Sequence, residues 1–301
     1  MMKLENIKLD INTKVVLNIG DPMGKTNAPR AYNKLFSDLD MNAIMLPLEV
    51  PKGGLEDFLG ACKCMNIRYF SPTMPHKKDI IPLLDDVDES SRMFQSVNAV
   101  KIDENGISHG MGFDGKGAVG AILSSGISLA GKRAVMLGSG SISGVIGLEL
   151  SRNGVKHLTI LNRTLEKAEE IARILNESTP MAAEAGKSTP EELDKASRSA
   201  DIFLQLTPLG MAGFHTKHNY IGFVDLLPDH CAVFDVIINP VDTEIIAAAK
   251  KRGLKTVPGM KMLAGQMKEI FRFMFDVELT EENQNACMHE LCDFLGVHAP
   301  N

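Results

Sequence analysis

The sequence predicts an α/β fold in two parts, on three observations. Strand-like and helical patterns alternate along the chain, and the alternation becomes more regular after Asp114. A glycine-punctuated turn, Gly138-Ser139-Gly140-Ser141-Ile142-Ser143-Gly144, separates a buried-strand pattern from a helical one. At 301 residues the chain has room for two medium domains, each with its own core. Its 44% hydrophobic and 23% charged residues are those of an ordinary globule. The net charge of −6 argues against a nucleic-acid surface, which needs a clustered basic excess. No run of about 18 apolar residues is present, so no membrane span is expected. Residues 1–6 lack the apolar core of a signal peptide. The five cysteines (Cys62, Cys64, Cys231, Cys287 and Cys292) show no metal or redox spacing, which predicts inert thiols in a reduced, cytoplasmic protein.

In the first part, residues 15–19 read as a strand ending at Gly20, with a helix starting near Pro29. Residues 43–48 form a second strand, and Leu55, Phe58, Leu59 and Cys62 give 55–64 a helical stripe. A short strand at 68–71 runs into a turn marked by Pro72 and Pro75, and 77–84 is expected to be helical. Strands at 97–102 and 106–111 flank the turn Asp103-Glu104-Asn105-Gly106.

In the second part, a helix at 117–123 precedes the buried strand 133–137, the glycine turn, a helix and the strand 157–161, which together make one right-handed βαβ unit. A helix at 165–175, a polar stretch to 187 expected as surface loop, a helix at 190–197 and a strand at 201–206 follow. Then come a strand at 231–235, a helix at 241–252 and two terminal helices rich in Met, Phe and Leu. That apolar tail suits a core better than a dimer surface; a monomer or homodimer is expected.

The glycine turn points to a dinucleotide. Gly138 and Gly140 allow a tight turn and close approach to a pyrophosphate, Gly144 allows close helix packing, and free amides at the helix start bind phosphate. Gly138, Ser139, Gly140, Ser141 and Ile142 are therefore candidate cofactor-binding residues. The next strand ends in Asn162-Arg163-Thr164, where an acidic residue would bind the 2′-hydroxyl of NAD. Arg163 there would pair a 2′-phosphate instead, so NADP is preferred over NAD; a plain surface-turn cap is the alternative.

Lys77 and Asp114 are the candidate proton-handling pair. Lys77 follows the proline-punctuated segment Ser71-Pro72-Thr73-Met74-Pro75-His76, and Asp114 sits in the glycine turn Gly112-Phe113-Asp114-Gly115. A partly desolvated lysine trades protons near neutrality because burial disfavours its charged form. A carboxylate beside it would orient the ammonium. Two ordinary surface charges are the alternative. His215 and His218, near Asp225, have a spacing that would suit zinc only in a helix; Gly213, Thr216 and Asn219 favour a loop, so no metal site is expected.

These motifs, in this order, resemble those of the shikimate dehydrogenase family, which includes quinate/shikimate dehydrogenases. Ser71 to Lys77 resembles its Asn-Val-Thr-x-Pro-x-Lys, and Ser96-Val97-Asn98-Ala99 its Ala-Val-Asn-Thr. Gly110 to Gly117 is similar to its Gly-x-Asn-Thr-Asp-x-x-Gly, and Asn162-Arg163-Thr164 matches its NADP signature unchanged. Thr207-Pro208-Leu209-Gly210-Met211, residues 235–240 and Met262-Leu263-Ala264-Gly265-Gln266 resemble its last three motifs.

The resemblance implies an N-terminal α/β substrate domain at 1–114, a Rossmann-type NADP domain at 115–257 and helices at 258–301 returning to the first domain. It implies interconversion of 3-dehydroshikimate and shikimate, or of a closely related cyclic hydroxy acid and its ketone. Lys77 would be the acid/base residue with Asp114 as partner; Thr26, Ser71, Thr73, Asn98 and Gln266 would bind a small cyclic carboxylate; Thr207, Pro208 and Gly259 would join the cofactor set. The chain departs from the family at Ala28, Ser71, Gly112, Phe113, Ile238 and Lys261, so its substrate is expected to differ in detail. Lys25 is a possible replacement for a lost carboxylate-binding serine. A non-catalytic NADP-binding regulator is the reading outside enzymes.

Overall fold

The computed structural model describes residues 9–23, 26–214 and 216–299, which fall into two compact units. The first takes in the described residues up to Phe113 together with Gln266–Gly296; the second is Asp114–Gly265 with the described residues from Val297 onward. Lys25 and His215 lie outside the described residues.

The first unit starts with β1 (Lys14–Gly20), α1 (Ala28–Asp38), β2 (Ala43–Glu49), α2 (Leu55–Cys64) and β3 (Tyr69–Pro72). It continues with α3 (His76–Asp79), β4 (Asp86–Val87), α4 (Glu89–Phe94), β5 (Ala99–Ile102) and β6 (Ser108–Met111). Its sheet runs β2-β1-β3-β5-β6-β4, with β1 parallel to β2 and β3, and β5 antiparallel to β3 and β6. Its core gathers Leu17, Ile19, Phe58, Phe70, Ile80, Val97 and Val100. The stretch 77–84, expected as one helix, is a helical turn ending at Asp79 followed by a 3-10 turn, Ile81–Leu83. Pro82 is the reason: it supplies no amide and its ring clashes with the carbonyl four residues back.

The second unit runs α5 (Asp114–Ser124), β7 (Arg133–Leu137), α6 (Ser143–Arg152), β8 (His157–Asn162), α7 (Leu165–Ser178), β9 (Ala182–Lys187) and α8 (Pro190–Ser197). It continues with β10 (Ile202–Gln205), β11 (Ala232–Asp235), α9 (Glu244–Lys251) and β12 (Lys255–Pro258). The sheet is wholly parallel, in the order β12-β11-β10-β7-β8-β9. Its central strands β7, β10 and β11 are apolar runs buried on both faces, as a sheet covered by helices requires. The polar stretch expected as loop contains the edge strand β9, in register with β8 from His157↔Ala182 to Asn162↔Lys187. An edge strand takes its order from main-chain bonds to one neighbour, so Glu184, Gly186 and Lys187 leave no apolar signature.

Helix α10 (Gly259–Phe275) begins in the second unit and ends in the first, where α11 (Glu281–Leu295) packs against α1. Tyr32 and Phe36 of α1 meet Phe271 of α10, each at a ring separation of 5.5 Å. Phe271 and Met274 are fully buried, so the apolar tail feeds a core. No helix among the described residues is long and apolar enough to cross a membrane.

Helices α5 and α6 touch at Gly115, where an added Cβ would lie 2.4 Å from the carbonyl oxygen of Val145. Gly115→Ala is expected to destabilise the protein by about 1–3 kcal/mol through overpacking. Exposed Gly60 of α2 has nothing within 4 Å of such a Cβ, and Gly60→Ala should stabilise by about 0.5–1 kcal/mol. Denaturant unfolding of both variants checks the pair.

Candidate active site

The strand order of the second unit reverses between β7 and β10, which leaves a crevice beyond their carboxyl ends. Gly138 leaves β7 at φ +114°, and a Cβ there would sit 3.0–3.2 Å from the main chain of Leu206 and the methyl of Thr207. Only glycine fits that turn. A Cβ on Gly140 would have nothing within 4 Å, so that side of the loop is open. Ser143 opens α6, and its hydroxyl donates to the Gly138 carbonyl at 3.1 Å, tying the loop to the start of the helix. Close packing falls on Gly147, where a Cβ would meet Leu175 at 2.7 Å and Leu158 at 3.3 Å.

At its N-terminus, α6 has no capping side chain and no acidic residue in its first turn. The buried Ser139 hydroxyl has no hydrogen-bond partner. Donors left in this way fit a phosphate. The cleft is about 210 Å³ and is lined by Gly138, Ser139, Gly140, Asn162, Arg163, Thr164, Lys167, Leu206, Thr207 and Pro208. Two cations, Arg163 and Lys167, stand on the β8 side, where the amide of Asn162 donates to the Thr164 carbonyl at 2.8 Å. Lys167 escaped the sequence reading, although its place one helical turn after Arg163 was the signal. Ser141 and Ile142 complete the loop, Ser141 exposed and Ile142 half-buried. Gly259 packs on the segment after β11, where a Cβ would lie 2.3 Å from the Val236 carbonyl oxygen.

Thr26 and Ser71 of the first unit meet through a residue the sequence reading passed over, and Ser71 carries the string on to Asn98. Buried Asn18 of β1 donates to the Ser71 carbonyl at 2.9 Å and accepts from the Thr26 hydroxyl at 2.8 Å. An amide inside the apolar run 15–19 was its signal. The Ser71 hydroxyl donates to the Asn98 carbonyl at 2.7 Å, and the Asn98 side chain accepts from the Phe113 amide at 3.0 Å. This string fixes the carboxyl ends of β1 and β3 and the start of β5.

Main-chain bonds hold the turn that carries Lys77. The Thr73 amide donates to Ile19 at 2.8 Å, and the Val97 amide donates to the Lys77 carbonyl at 3.0 Å. His76 is fully buried and its Nε2 donates to the Val50 carbonyl at 2.7 Å, which makes it a structural anchor. Lys77 itself is half-buried. Buried Gln266 belongs to this unit, and buried Asp114 opens α5 of the other. The departures at 112 and 113 have a packing reason. A Cβ on Gly112 would lie 2.3 Å from the Ser96 carbonyl oxygen, and buried Phe113 meets Phe273 at 5.7 Å.

Numbered within its own sheet, the second unit has strand order 3-2-1-4-5-6, a glycine turn on strand 1 and a basic pair after strand 2. That combination defines a protein with a dinucleotide-binding half. Family profiles agree: one for the shikimate dehydrogenase substrate binding domain matches residues 18–100, and one for shikimate / quinate 5-dehydrogenase matches residues 121–207. A shikimate dehydrogenase (NADP(+)) from Alkaliphilus metalliredigens is 36% identical over 260 residues, 86% of this chain and 90% of that one. Among solved structures, shikimate 5-dehydrogenase from Listeria monocytogenes, in complex with shikimate and NAD, is similar at TM-score 0.86 and 25% identity over 96% of this chain and 99% of that one. Ligand-free 5-ketofructose reductase from Gluconobacter is similar at TM-score 0.85 and 28% identity over 95% and 100%. The chain belongs to the shikimate dehydrogenase family and is an NADP-dependent oxidoreductase acting on a CH–OH group. Among the described residues no group of three or more His, Cys, Asp or Glu could hold a metal ion.

At the end of β11, burial pushes the Asp235 carboxyl up to about 6, although bonds from Thr243, the Ile237 amide and Gln205 oppose the rise. A raised value means that the folded state holds the proton more tightly. The associated stability is complete below the ordinary value of 3.8 and is lost as pH rises through about 6. That loss is on the order of 2–3 kcal/mol. Thermal unfolding of the wild type is expected to show this decline between pH 4 and 6.5, and Asp235→Asn is expected to lack it.

Proposed function

We propose that this protein interconverts a small cyclic hydroxy acid of the shikimate or quinate type and its ketone. The observation that carries this reading is the cleft at the strand reversal, with its glycine turn and the cations Arg163 and Lys167. The residues present fit NADP: residues 138–142 take the pyrophosphate, Arg163 and Lys167 the 2′-phosphate, and Thr207 and Pro208 the opposite wall. When bound, NADP accepts or supplies the hydride at the carbon that bears the oxygen. Lys77 takes the proton from the substrate hydroxyl oxygen during oxidation and returns it to that oxygen during reduction. Asp114 is its carboxylate partner, orienting the ammonium. Thr73, Asn98 and Gln266 read the substrate hydroxyls.

A second substrate class is favoured by Thr26 and Ala28. The Thr26 hydroxyl donates to Asn18, and Ala28 offers no hydroxyl in place of a carboxylate-binding serine. A first unit with these residues suits a neutral polyhydroxy ketone, the kind of substrate named for the Gluconobacter relative. Steady-state rates with NADPH or NADP(+) and a panel of shikimate, quinate, their ketones and 5-ketofructose decide between the classes. NADPH binding with no turnover on any of them would overturn both substrate assignments.

Lys77→Ala is expected to lower kcat by about 10²–10⁴-fold with NADPH affinity unchanged, as loss of a general acid/base requires. Single-turnover absorbance at 340 nm and NADPH titration together check it. Arg163→Ala is expected to raise the KM for NADPH by roughly 10–100-fold and that for NADH far less, since a charge-assisted pair is lost only with the 2′-phosphate. Parallel KM measurements for the two cofactors test that difference.

A further inference from the structure

Each sheet ends in a strand whose outer main chain is held by an asparagine of the helix that leads into it. Strands β2 and β9 are edges of their sheets. In a parallel pair, alternate residues turn both N–H and C=O toward the neighbour, and the residues between them turn both away. On β9, Ala182 and Ser188 donate to the carbonyls of Lys156 and Asn162 at 2.9 and 3.1 Å, so Ala183, Ala185 and Lys187 point outward. Asn176 of α7 closes the first of these from both sides. Its Nδ2 donates to the Ala183 carbonyl at 2.8 Å, and its Oδ1 accepts from the Ala183 amide at 2.9 Å. On β2, the Asn42 carbonyl accepts from Lys14 at 2.9 Å and Val50 donates to Gly20 at 3.1 Å, so Ala43, Met45 and Pro47 point outward. Asn33 of α1 donates to the Met45 carbonyl at 2.9 Å and accepts from the Met45 amide at 2.7 Å. Ala43 gives its amide to Met41 at 2.8 Å, and Pro47 has none to give. Two side-chain amides, in separate units, thus occupy the place that a further strand would take.

We infer that Asn176 keeps β9 from pairing with a second copy of this chain, as Asn33 and Pro47 do for β2. An unpaired edge presents a row of donors and acceptors that templates another strand. On β2 that row is closed: from Ala43 to Leu48 no outward N–H is left for another chain. On β9 there is no proline, and Ala182, Ala183, Ala185 and Gly186 are small enough to let a second strand approach. A twofold antiparallel pairing centred on Ala185 sets Ala183 against Lys187 and Glu184 against Gly186. Every outward residue then finds a partner, and no like charges face each other. Such a self-complementary contact closes at two copies. With the Asn176 amide seated on Ala183, both Ala183–Lys187 pairs are lost and only the central pair remains. One side chain therefore decides whether this edge is open. The inference is independent of the NADP and substrate readings.

Asn176 is exposed in the last turn of α7, and alanine favours a helix more than asparagine does, so Asn176→Ala is expected to fold. Sedimentation velocity over a concentration series is expected to show self-association of this variant tightened about tenfold or more, toward twice the wild-type mass. Adding Ala185→Pro, which removes only an outward N–H, is expected to restore the wild-type mass. Hydrogen exchange gives a second readout. The Ala183 amide, slow in the wild type, is expected to exchange faster in dilute Asn176→Ala and to slow again, together with the Ala185 amide, as the variant is concentrated. Three results would overturn the inference: the wild-type mass for Asn176→Ala at every concentration, association that Ala185→Pro leaves in place, or a wild-type dimer that Ala185→Pro alone dissociates.

Discussion

The strand-order reversal between β7 and β10 is the constraint on which the second unit depends. Crossover helices leave those two strands toward opposite faces, so nothing of the fold itself fills the space beyond their carboxyl ends. The main chain must then turn sharply out of β7, beside the main chain leaving β10. Gly138 meets both demands at once, with positive φ and no room for a Cβ against Leu206 and Thr207. The Ser143 hydroxyl closes the loop back on Gly138, and the helix behind it offers uncapped amides. What remains is a concave, donor-rich surface with two cations on one rim, a site complementary to a phosphorylated dinucleotide.

The first unit solves a different problem with the same chemistry. Several strand ends and a helix start have to be held in register while polar side chains remain among them. The string Thr26–Asn18–Ser71–Asn98–Phe113 does this through side-chain bonds to neighbouring main chain and to each other. An amide or hydroxyl buried with its bonds made costs little, whereas one left unmade costs about 1–3 kcal/mol. The changes at Gly112 and Phe113 follow from packing at the Ser96 carbonyl and at Phe273. Thr26 gives its hydroxyl to Asn18 and Ala28 has none to give, and under the proposed function this bears on which ligand the first unit suits.

Legibility in the sequence tracked the kind of signal each element carries. The parallel strands at 133–137, 202–205 and 232–235 are apolar runs between turn residues and declare themselves, as does the glycine turn. Arg163 was visible because its distance from that turn has a geometric meaning. β9 was not visible, because an exposed edge strand is ordered by one neighbour's main chain and carries no apolar alternation. The break after Asp79 was written in Pro82 but masked by the charged, helix-like run before it. Asn18, Lys167 and Gln205 were missed for a common reason. Their roles come from what lies across the sheet or one turn away, and periodicity does not report cross-strand partners.

The central claim is that the crevice at the strand reversal is built for a 2′-phosphorylated dinucleotide. A crystal structure of the protein with NADP(+) tests it most directly. Density is expected with the pyrophosphate against the main chain of residues 138–142 and the 2′-phosphate within hydrogen-bond reach of Arg163 and Lys167. A dinucleotide lying away from the glycine turn, or a 2′-phosphate pointing into solvent with both cations turned aside, would contradict it.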